Sequence, residues 1–372
     1  MKIGVPKETL RHEHRVGLTP FGVSRLTHLG HEVLVERDAG KDAHFDNEDF
    51  VKAGARIVYS SDEAYGRADV VCRVGALSSE EADLLRPEST VCGFHHLAVA
   101  PRDVVQKLTE RRISAIGYEI VQNAAGDRPV LAALSEIAGH MVVQTAGHLL
   151  ETGQGGRGVI LGGVPGIAPA TVVILGAGTV GRTAAEQFLG VGAHVILMDI
   201  DLDKLRTAVL HSSRDLVTSV ASTRNLTRFT SIADVLVGAV LVPGARSPFL
   251  VTEEMVRNMK PGSVVIDLSI DQGGCVETSR PTTVDHPTFK VHGVTHFCVP
   301  NMTANAPRTA SRAMTLSALP FVVKLAEEGL ESALRTDAGL AKGCFLYRGR
   351  IVNETAATSL GLPPARLSDL LS

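Results

Sequence analysis

Short apolar runs and longer amphipathic stretches follow one another along this chain. In its first third the apolar runs predict strands at residues 2–5, 32–35, 56–58, 69–74, 90–94 and 115–118. A helix is predicted between the first two at 19–29, because Thr19-Pro20 suits an N-cap followed by the first helical position. Strands that alternate with helices are typical of a parallel sheet covered by helices, so we predict an α/β fold.

The remaining two thirds repeat this alternation after a long helix, predicted from residue 135 to about 152. The glycine-rich stretch at 153–169 lacks the lysine and the following helix of a phosphate loop, and we interpret it as a hairpin or packing loop. Further strands are predicted at 234–241, 263–268 and 296–299. A last long helix at 308–328 is expected to return the chain to its first part, which predicts two domains with a cleft between them.

Residues 171–199 carry the most specific motif. An apolar run leads into Gly176, Gly178 and Gly181, a helical stretch follows, and a second apolar run ends at Asp199. In a dinucleotide-binding turn these glycines permit the tight turn, the approach of a pyrophosphate and close helix–strand packing. Asp199 would accept hydrogen bonds from ribose hydroxyls and repel a 2′-phosphate, which favours NAD over NADP.

Composition narrows the class of protein. The chain has 372 residues, 44% of them hydrophobic, which is sufficient for two domains. With 37 Lys and Arg against 40 Asp and Glu and no long basic run, nothing indicates nucleic acid or a membrane surface as a partner. The five cysteines are scattered without a CxxC pair, and the start of the chain predicts a strand rather than a signal peptide. We therefore expect a soluble cytoplasmic protein.

Three polar positions that follow predicted strands or loops are candidates for catalysis or substrate binding. His95-His96 follows the strand at 90–94, Asp271 follows the strand at 263–268, and Arg15 follows the first strand and a polar loop. An imidazole base, a carboxylate and a guanidinium that clamps a substrate carboxylate form a recognisable set. Adjacent residues of an extended chain point to opposite faces, so only one of the two histidines is expected to act, and the pattern does not choose between them.

Each of these residues has a structural alternative. A histidine at a strand end is often a satisfied structural residue, Asp271 lies in ordinary Asp-Gln-Gly-Gly turn material, and Arg15 is compatible with a surface ion pair. Histidine pairs at 12 and 14 and at 140 and 148 have no carboxylate or cysteine at metal-ligand spacing, so no metal site is predicted.

With these motifs the chain resembles the alanine dehydrogenase family, which shares its architecture with the nucleotide-binding part of proton-translocating transhydrogenases. The likeness extends over nearly the whole chain. It is carried by GVPKETLRHEHRVGLTPFGVSRL (4–26), FHHLAVA (94–100), LSEIAGHM (134–141), GGRGVILGGVPGIAP (155–169), VGAVLVPGARSP (237–248), MKPGSVVIDLSIDQGGCVETSRPTT (259–283) and HPTFKVHGVTHFCVPNMTA (286–304).

The resemblance implies a role for each matching residue. Arg15 would bind the substrate carboxylate, His96 rather than His95 would be the acid/base, and Asp271 would position water and substrate. The cofactor site would comprise Ser135, Gly176, Gly178, Val180, Gly181, Asp199, Lys204, Asn301 and Met302. Here Asp199 would contact the ribose, Lys204 the adenosine end, and Ser135, Asp271, Asn301 and Met302 the nicotinamide and phosphate side.

The resemblance also implies the domain organisation. Residues 1–130 together with 306–372 would form a discontinuous catalytic and substrate domain, and residues 131–305 a central NAD-binding Rossmann domain. The assembly would be a homohexamer.

One departure from the family pattern concerns substrate binding. The family carries a lysine where this chain has Gly75, within a Lys-x-Lys-Glu-Pro run that reads Arg73-Val74-Gly75-Ala76-Leu77 here. Arg73 lies on the same strand face as Gly75, and we expect its longer side chain to reach the vacated space and help to bind substrate. Glycine at this position also makes room for a bulkier substrate.

The sequence therefore predicts an NAD-dependent amino-acid dehydrogenase, with L-alanine to pyruvate and ammonia as the default reaction. Two alternatives stay open. One is a diverged relative that reduces a different, larger imine or oxo acid, and the other is a non-catalytic NAD-binding subunit.

Overall fold

The fold is known from a computed structural model that describes residues 1–212, 215–241 and 246–371. The described strands are β1 (Lys2–Val5), β2 (Glu32–Glu36), β3 (Arg56–Val58), β4 (Val70–Cys72), β5 (Thr90–Gly93), β6 (Ser114–Gly117), β7 (Thr171–Leu175), β8 (His194–Asp199), β9 (Val217–Val220), β10 (Val235–Gly238), β11 (Val264–Asp267), β12 (Thr288–Val291), β13 (Val294–Phe297), β14 (Cys344–Tyr347) and β15 (Arg350–Ile351).

The helices lie between these strands. They are α1 (Pro20–His28), α2 (Asn47–Lys52), α3 (Ser61–Gly66), α4 (Ser79–Leu84), α5 (Arg102–Glu110), α6 (Pro129–Leu149), α7 (Thr179–Gly190), α8 (Leu202–His211), α9 (Thr223–Ile232), α10 (Glu253–Arg257), α11 (Pro307–Glu328), α12 (Leu330–Thr336), α13 (Ala338–Lys342), α14 (Glu354–Leu360) and α15 (Leu367–Leu371). Short 3₁₀ turns occur at Lys41–Ala43, Leu97–Val99, Thr152–Gln154, Leu268–Gln272 and Met302–Asn305.

The chain divides into two compact units. The first comprises Met1–Leu134 and Ala304–Ser372, and the second comprises Ser135–Thr303. The long helix α11 belongs to the first unit, so the chain returns there after completing the second.

The first unit contains a sheet with the strand order β15-β14-β6-β5-β4-β1-β2-β3. The strands from β6 to β3 are parallel, so their carboxyl ends lie along one edge. β1 is flanked by β2 on one side and by β4 on the other, and the strand order reverses there. Loops that follow β1, β4, β5 and β6 are therefore collected at the same edge.

The second unit contains a sheet with the order β12-β13-β11-β10-β7-β8-β9, parallel except for β12. Alternate residues of β7 pack on opposite faces: Val172 and Ile174 pack with α6 and α7, whereas Val173 and Leu175 pack with α9 and α10. A strand buried on both faces reads as a continuous apolar run, which explains the pattern at 172–175. These units confirm the predicted α/β class with a Rossmann-type second part.

Each sheet carries antiparallel strand pairs: β12, β14 and β15 were not predicted, whereas β13 overlaps the strand predicted at 296–299. β12 and β13 are joined by His292-Gly293, and β14 and β15 by Arg348-Gly349. All four turn residues have positive φ angles, which is the geometry of a tight two-residue hairpin turn. The glycine at the second position of each pair was the available sequence signal. The histidine and the arginine at the first position are unusual in such turns.

Proline marks the first position of two helices, one of which was predicted to begin there and one of which was not. Thr19 and Pro20 occupy the N-cap and first helical positions of α1, as predicted. Helix α6 begins at Pro129, earlier than predicted, because the same rule for proline applies at a position that the apolar pattern alone did not mark. In the glycine-rich stretch at 153–169, Val164 and Ile167 form an isolated antiparallel bridge, which confirms a hairpin-like loop.

No described helix is both long and apolar enough to span a bilayer.

The cysteines lie in the cores of both units. Cys72, Cys92 and Cys344 are buried free thiols in the first unit, and Cys275 and Cys298 in the second. Burial raises the pKa of Cys72 and Cys344 to about 12 and that of Cys298 to about 11. These thiols are therefore protonated packing groups at neutral pH.

A fully buried arginine connects the loops after β1 and β4 in the first unit. Arg73 donates through Nη2 to Glu8 at 3.0 Å, and through Nη1 to Glu81 and to the Tyr65 hydroxyl at 2.8 Å each. Its side chain is 0% exposed, and those of Glu8 and Glu81 are 2% and 6% exposed. Burial raises the pKa of Glu81, but Arg73 and the hydrogen bonds to this carboxylate outweigh that effect and lower the pKa overall.

The same carboxylates organise the backbone. Glu8 accepts the N–H of Val74 at 2.7 Å, and Glu81 accepts that of Ser78 at 2.8 Å. The loop after β4 is thus wrapped around two buried carboxylates that share one guanidinium. Breaking such a pair leaves a buried charge uncompensated, which costs about 3–5 kcal/mol.

We predict that Arg73→Met lowers the free energy of unfolding by about 3–5 kcal/mol. Arg67→Met is the matched control, because it breaks an exposed pair with Glu63, which is worth under about 1 kcal/mol. Urea unfolding followed by circular dichroism measures both. Equal losses of unfolding free energy in the two variants would show that the buried network stabilises the fold no more than an exposed ion pair does. The triple variant with Glu8→Gln and Glu81→Gln should recover part of the loss.

Candidate functional site

The positions in the first unit that the sequence connects with substrate chemistry lie at one edge of its sheet, together with Glu119, which the sequence did not indicate. Arg15, Gly75 and His96 follow β1, β4 and β5, and Glu119 follows β6. These four strands are consecutive neighbours in the sheet and run parallel. Ligands of open α/β sheets bind beyond the carboxyl ends of the strands, so this edge is the candidate substrate site of the unit.

Arg15 is held in a buried ion pair. Its side chain is 4% exposed, and Nε and Nη2 donate to the two oxygens of Glu13 at 2.7 and 2.5 Å. The adjacent backbone is fixed as well, because Val16 N–H donates to Ser311 in α11 at 3.0 Å. This bidentate pairing sets the plane of the guanidinium, which carries five N–H donors in all.

The two adjacent histidines occupy different environments. His95 is buried, its Nε2 lies 3.2 Å from the carbonyl oxygen of Val91, and burial lowers its pKa to about 3. His95 is therefore neutral and committed to the core. His96 is exposed, has a left-handed backbone with φ of 48°, and stacks on the ring of Phe94 with centroids 6.4 Å apart. The arrangement supports His96 as the acid/base candidate.

The structure corrects the predicted role of Arg73. Both of its terminal nitrogens donate to Glu8, Glu81, Tyr65 or the Ala76 carbonyl oxygen, and the side chain is fully buried. We therefore replace its predicted substrate-binding role with a structural one. The strand predicted at 69–74 includes Arg73, but β4 ends at Cys72, so Arg73 and Gly75 do not share a strand face. The sequence also carries no signal that two distant glutamates bind its guanidinium.

Because the Arg73 guanidinium is bound elsewhere, it does not replace the missing lysine side chain at Gly75. A Cβ at residue 75 would lie 3.1 Å from Leu10 Cδ1 and 3.7 Å from Glu8 Oε2, and nothing else described comes within 4 Å. Leu10 is an exposed side chain with a flexible end. The space beside Gly75 is therefore open to a larger side chain.

In the second unit the three glycines of the motif fulfil three different requirements. Gly176 has φ of 99°, and a Cβ there would lie 2.4 Å from the Ala239 carbonyl oxygen. A Cβ at Gly181 would lie 1.8 Å from the Gly176 oxygen, so only glycine lets α7 approach the turn. Around Gly178 no described atom lies within 4 Å of such a Cβ, which leaves the backbone accessible. This is the division of roles expected for a dinucleotide-binding turn.

The location of this turn also fits a dinucleotide. It follows β7, whose neighbours β8 and β10 lie on opposite sides, so the turn is at the reversal of strand order. The first N–H groups of α7 point towards it and attract anions. Asp199 ends β8, and its Oδ2 accepts the N–H of Ala177 at 2.7 Å, which places the carboxylate beside the turn.

The other predicted cofactor residues are distributed around the same sheet. Val180 is half-buried in the first turn of α7, and Lys204 is in α8, 4.0 Å from the carboxylate of Asp201. Ser135 is half-buried in α6. Val180 belongs to the glycine turn itself, between Gly178 and Gly181. Among the described contacts, none links Lys204 or Ser135 directly to that turn.

Asp271 and Asn301 are brought together. They follow the neighbouring parallel strands β11 and β13, and Asn301 N–H donates to Asp271 Oδ1 at 3.1 Å. Asn301 has φ of 52°, and the adjacent Met302 is buried. The chain at 269–276 is wrapped around the buried carboxylate of Asp267, which accepts backbone N–H groups from Ser269 and Cys275 at 3.0 Å. Asp271 is thus an exposed carboxylate on a rigid turn.

Three acidic residues that the sequence did not single out support the candidates. They are Glu13 beside Arg15, Glu119 beside His96, and Asp267 beneath Asp271. Proximity in sequence was a usable signal for Glu13 and Asp267. No local signal connects Glu119 with His96, because the contact exists only once β5 and β6 pair.

Metal binding receives no support from the described residues, among which no three His, Cys, Asp or Glu side chains are grouped as ligands. The rings of His12 and His14 lie 6.5 Å apart and nearly perpendicular.

Comparison with known proteins gives concordant matches along the chain. The model of the alanine dehydrogenase/PNT N-terminal domain matches residues 4–138, and that of the alanine dehydrogenase/PNT C-terminal domain matches residues 142–354. An alanine dehydrogenase from Mycobacterium tuberculosis strain H37Rv is 44% identical over 363 residues, which cover 98% of each chain.

Solved structures agree. An L-alanine dehydrogenase has a TM-score of 0.91 at 43% identity, covering 97% of this chain and 99% of its own. A transhydrogenase from Sinorhizobium meliloti has a TM-score of 0.80 at 22% identity, covering 95% and 99%, which supports the fold alone. Both halves of the chain match in order and nearly in full, and so the chain belongs to the alanine dehydrogenase/PNT family.

Proposed function

We propose that this protein is an NAD-dependent amino-acid dehydrogenase that converts L-alanine and water reversibly into pyruvate and ammonia. The observation that carries the proposal is full-length similarity to alanine dehydrogenases, combined with a glycine turn whose geometry suits a dinucleotide. His96, Asp271 and Arg15 supply the base, the carboxylate and the guanidinium that the reaction needs.

The second unit would hold NAD. The turn at Gly176, Gly178 and Gly181 and the first turn of α7 would bind the pyrophosphate, and Asp199 the adenosine ribose. A carboxylate at Asp199 repels a 2′-phosphate, which selects NAD rather than NADP. When bound, NAD supplies the acceptor for the hydride that leaves the substrate Cα.

The first unit would bind the amino acid and move protons. Arg15 would hold the substrate carboxylate by charge-assisted hydrogen bonds, in the plane that Glu13 sets. His96 would take a proton from the substrate ammonium group, which allows its nitrogen to form an iminium as the Cα–H bond breaks. After His96 has released that proton to solvent, water positioned by Asp271 would add to the iminium carbon and give up a proton to His96. His96 would return this proton to the amine nitrogen, and the C–N bond would break as the hydroxyl group loses its proton, which forms the oxo acid and releases ammonia.

The open space at Gly75 supports a second candidate, in which the enzyme acts on a larger amino acid or oxo acid. Relative to the family pattern a cation is missing there, and the guanidinium of Arg73 is committed to Glu8 and Glu81. A charge-assisted hydrogen bond contributes about 1.5–3 kcal/mol, so its loss weakens transition-state binding of a small substrate by about ten- to a hundredfold.

We propose further that the chain forms a homo-oligomer, with a hexamer as the family-based expectation. In support, the hairpin-like loop at 153–169 exposes the apolar side chains of Ile160, Val164 and Ile167, which are 64%, 45% and 68% exposed. Apolar side chains grouped on one projecting loop are typical of a protein–protein contact.

The dehydrogenase proposal predicts NADH oxidation that requires both a 2-oxo acid and ammonium. His96→Ala and Asp271→Asn should each lower kcat by about a hundredfold or more, because each removes a group that moves or orients a proton. His28→Ala, a change at an exposed histidine of α1, serves as the control with unchanged activity. Spectrophotometric assays at 340 nm, with NADH binding measured separately, test this. Binding of NADH without turnover on any oxo acid in a panel would instead indicate a non-catalytic NAD-binding subunit.

We expect Gly75→Lys to raise kcat/KM for pyruvate amination by about ten- to a hundredfold, because it restores one charge-assisted hydrogen bond. The change is sterically compatible, since the nearest atom is the mobile end of Leu10. Gly75→Met fills the same space without a charge and is the matched control. Equal activities of the two variants would show that a cation at this position does not limit the reaction. A simultaneous loss of activity on bulkier oxo acids would favour the larger-substrate candidate.

The oligomer proposal predicts that Ile160→Asp with Ile167→Asp reduces the molar mass in solution, because buried charges would oppose the contact. Light scattering coupled to size exclusion measures it. Ile232→Asp changes an exposed isoleucine of α9 and is the control. A monomeric wild-type protein would contradict the proposal.

A further inference from the structure

His96 occupies a backbone conformation that needs support. It lies just beyond β5 with φ of 48° and ψ of 38°, the left-handed region that residues with a side chain rarely adopt. The short 3₁₀ turn Leu97–Val99 begins directly after it. Its imidazole direction therefore depends on whatever holds this turn.

The supporting contact comes from the next strand. Glu119 follows β6, which pairs with β5 in the register Gly93 to Gly117. Glu119 Oε1 accepts the backbone N–H of His96 at 2.6 Å. Burial raises the pKa of Glu119 overall, although backbone N–H groups of His95, His96 and Glu119 itself act on this carboxylate in the opposite direction. The carboxylate is thus enclosed by donors from the turn that presents His96.

The second oxygen of Glu119 is buried and has no hydrogen-bond partner among the described residues. Burial raises the pKa of Glu119, whereas the charge of His96 lowers it, so the two groups are within electrostatic reach. A buried carboxylate with an unused oxygen is costly to keep, which argues for a role beyond holding one N–H.

Two other titratable groups near this turn do not compete for this role. His95 is neutral, because burial lowers its pKa to about 3, and Arg73 is paired with Glu8 and Glu81. Helix α14, which packs against the Leu97–Val99 turn, carries one charged residue, Glu354. Glu119 is therefore the carboxylate best placed to act on His96.

We propose that Glu119 is a positioning residue for His96: it fixes the left-handed turn through the His96 N–H and stabilises the protonated imidazole through its charge. The proposal deepens the proposed function, on which its kinetic part rests. When His96 takes a proton from the substrate, the neighbouring negative charge favours the product of that transfer.

Glu119→Gln separates the two effects, because the amide oxygen can still accept the His96 N–H while the charge is lost. Without the charge the protonated imidazole is less stable relative to the neutral one, so a lower pH should be needed to protonate His96. NMR titration of isotope-labelled histidines, with the His96 signal assigned from His96→Gln, measures this directly. The acid limb of the pH profile of oxidative deamination should move to lower pH by the same amount.

Glu119→Ala removes the hydrogen bond as well, and kcat should fall about tenfold below that of Glu119→Gln at every pH. Glu354→Gln removes a carboxylate from the helix packed on the same turn and is the control, with the His96 titration unchanged. An unshifted His96 titration in Glu119→Gln, or an equal shift in Glu354→Gln, would overturn the proposal. Because the NMR titration needs no substrate, an inactive wild type would refute the dehydrogenase function without deciding the role of Glu119.

Discussion

Parallel pairing of strands is the constraint on which the rest of this structure depends. Because neighbouring strands run in the same direction, the loops after β1, β4, β5 and β6 must emerge at one edge. Residues as distant in sequence as Arg15, Gly75, His96 and Glu119 are thereby collected without any local signal between them. In the second unit the same constraint brings Asp271 and Asn301 into hydrogen-bond contact.

Much of this could be predicted from local patterns. Continuous apolar runs identify buried strands because both of their faces are covered, and β7 is an example. The glycine motif was informative because each glycine is required by a separate steric condition, and Gly181 tolerates no Cβ at all. The antiparallel edge strands were missed, since their tight turns use His292 and Arg348 at positive φ, where glycine or asparagine is usual.

The remaining features depend on long-range pairing that no local pattern carries. The sequence predicts Arg73 as a substrate ligand, but in the structure Glu8 and Glu81 bind its guanidinium. The choice between His95 and His96 likewise required burial to be known, because both residues have the same chemistry. At position 75 the glycine is evident from the sequence. That no arginine compensates for the missing lysine is evident only from the structure, in which Arg73 is paired with Glu8 and Glu81.

The five buried thiols have a practical consequence. A thiol that is protonated and screened from solvent reacts with alkylating reagents only when the surrounding fold opens. Because three of the cysteines lie in one unit and two in the other, the rate at which each is modified would report local opening of its own unit. The native cysteines can therefore serve as probes of the rate of local opening in each unit separately, with no engineered label.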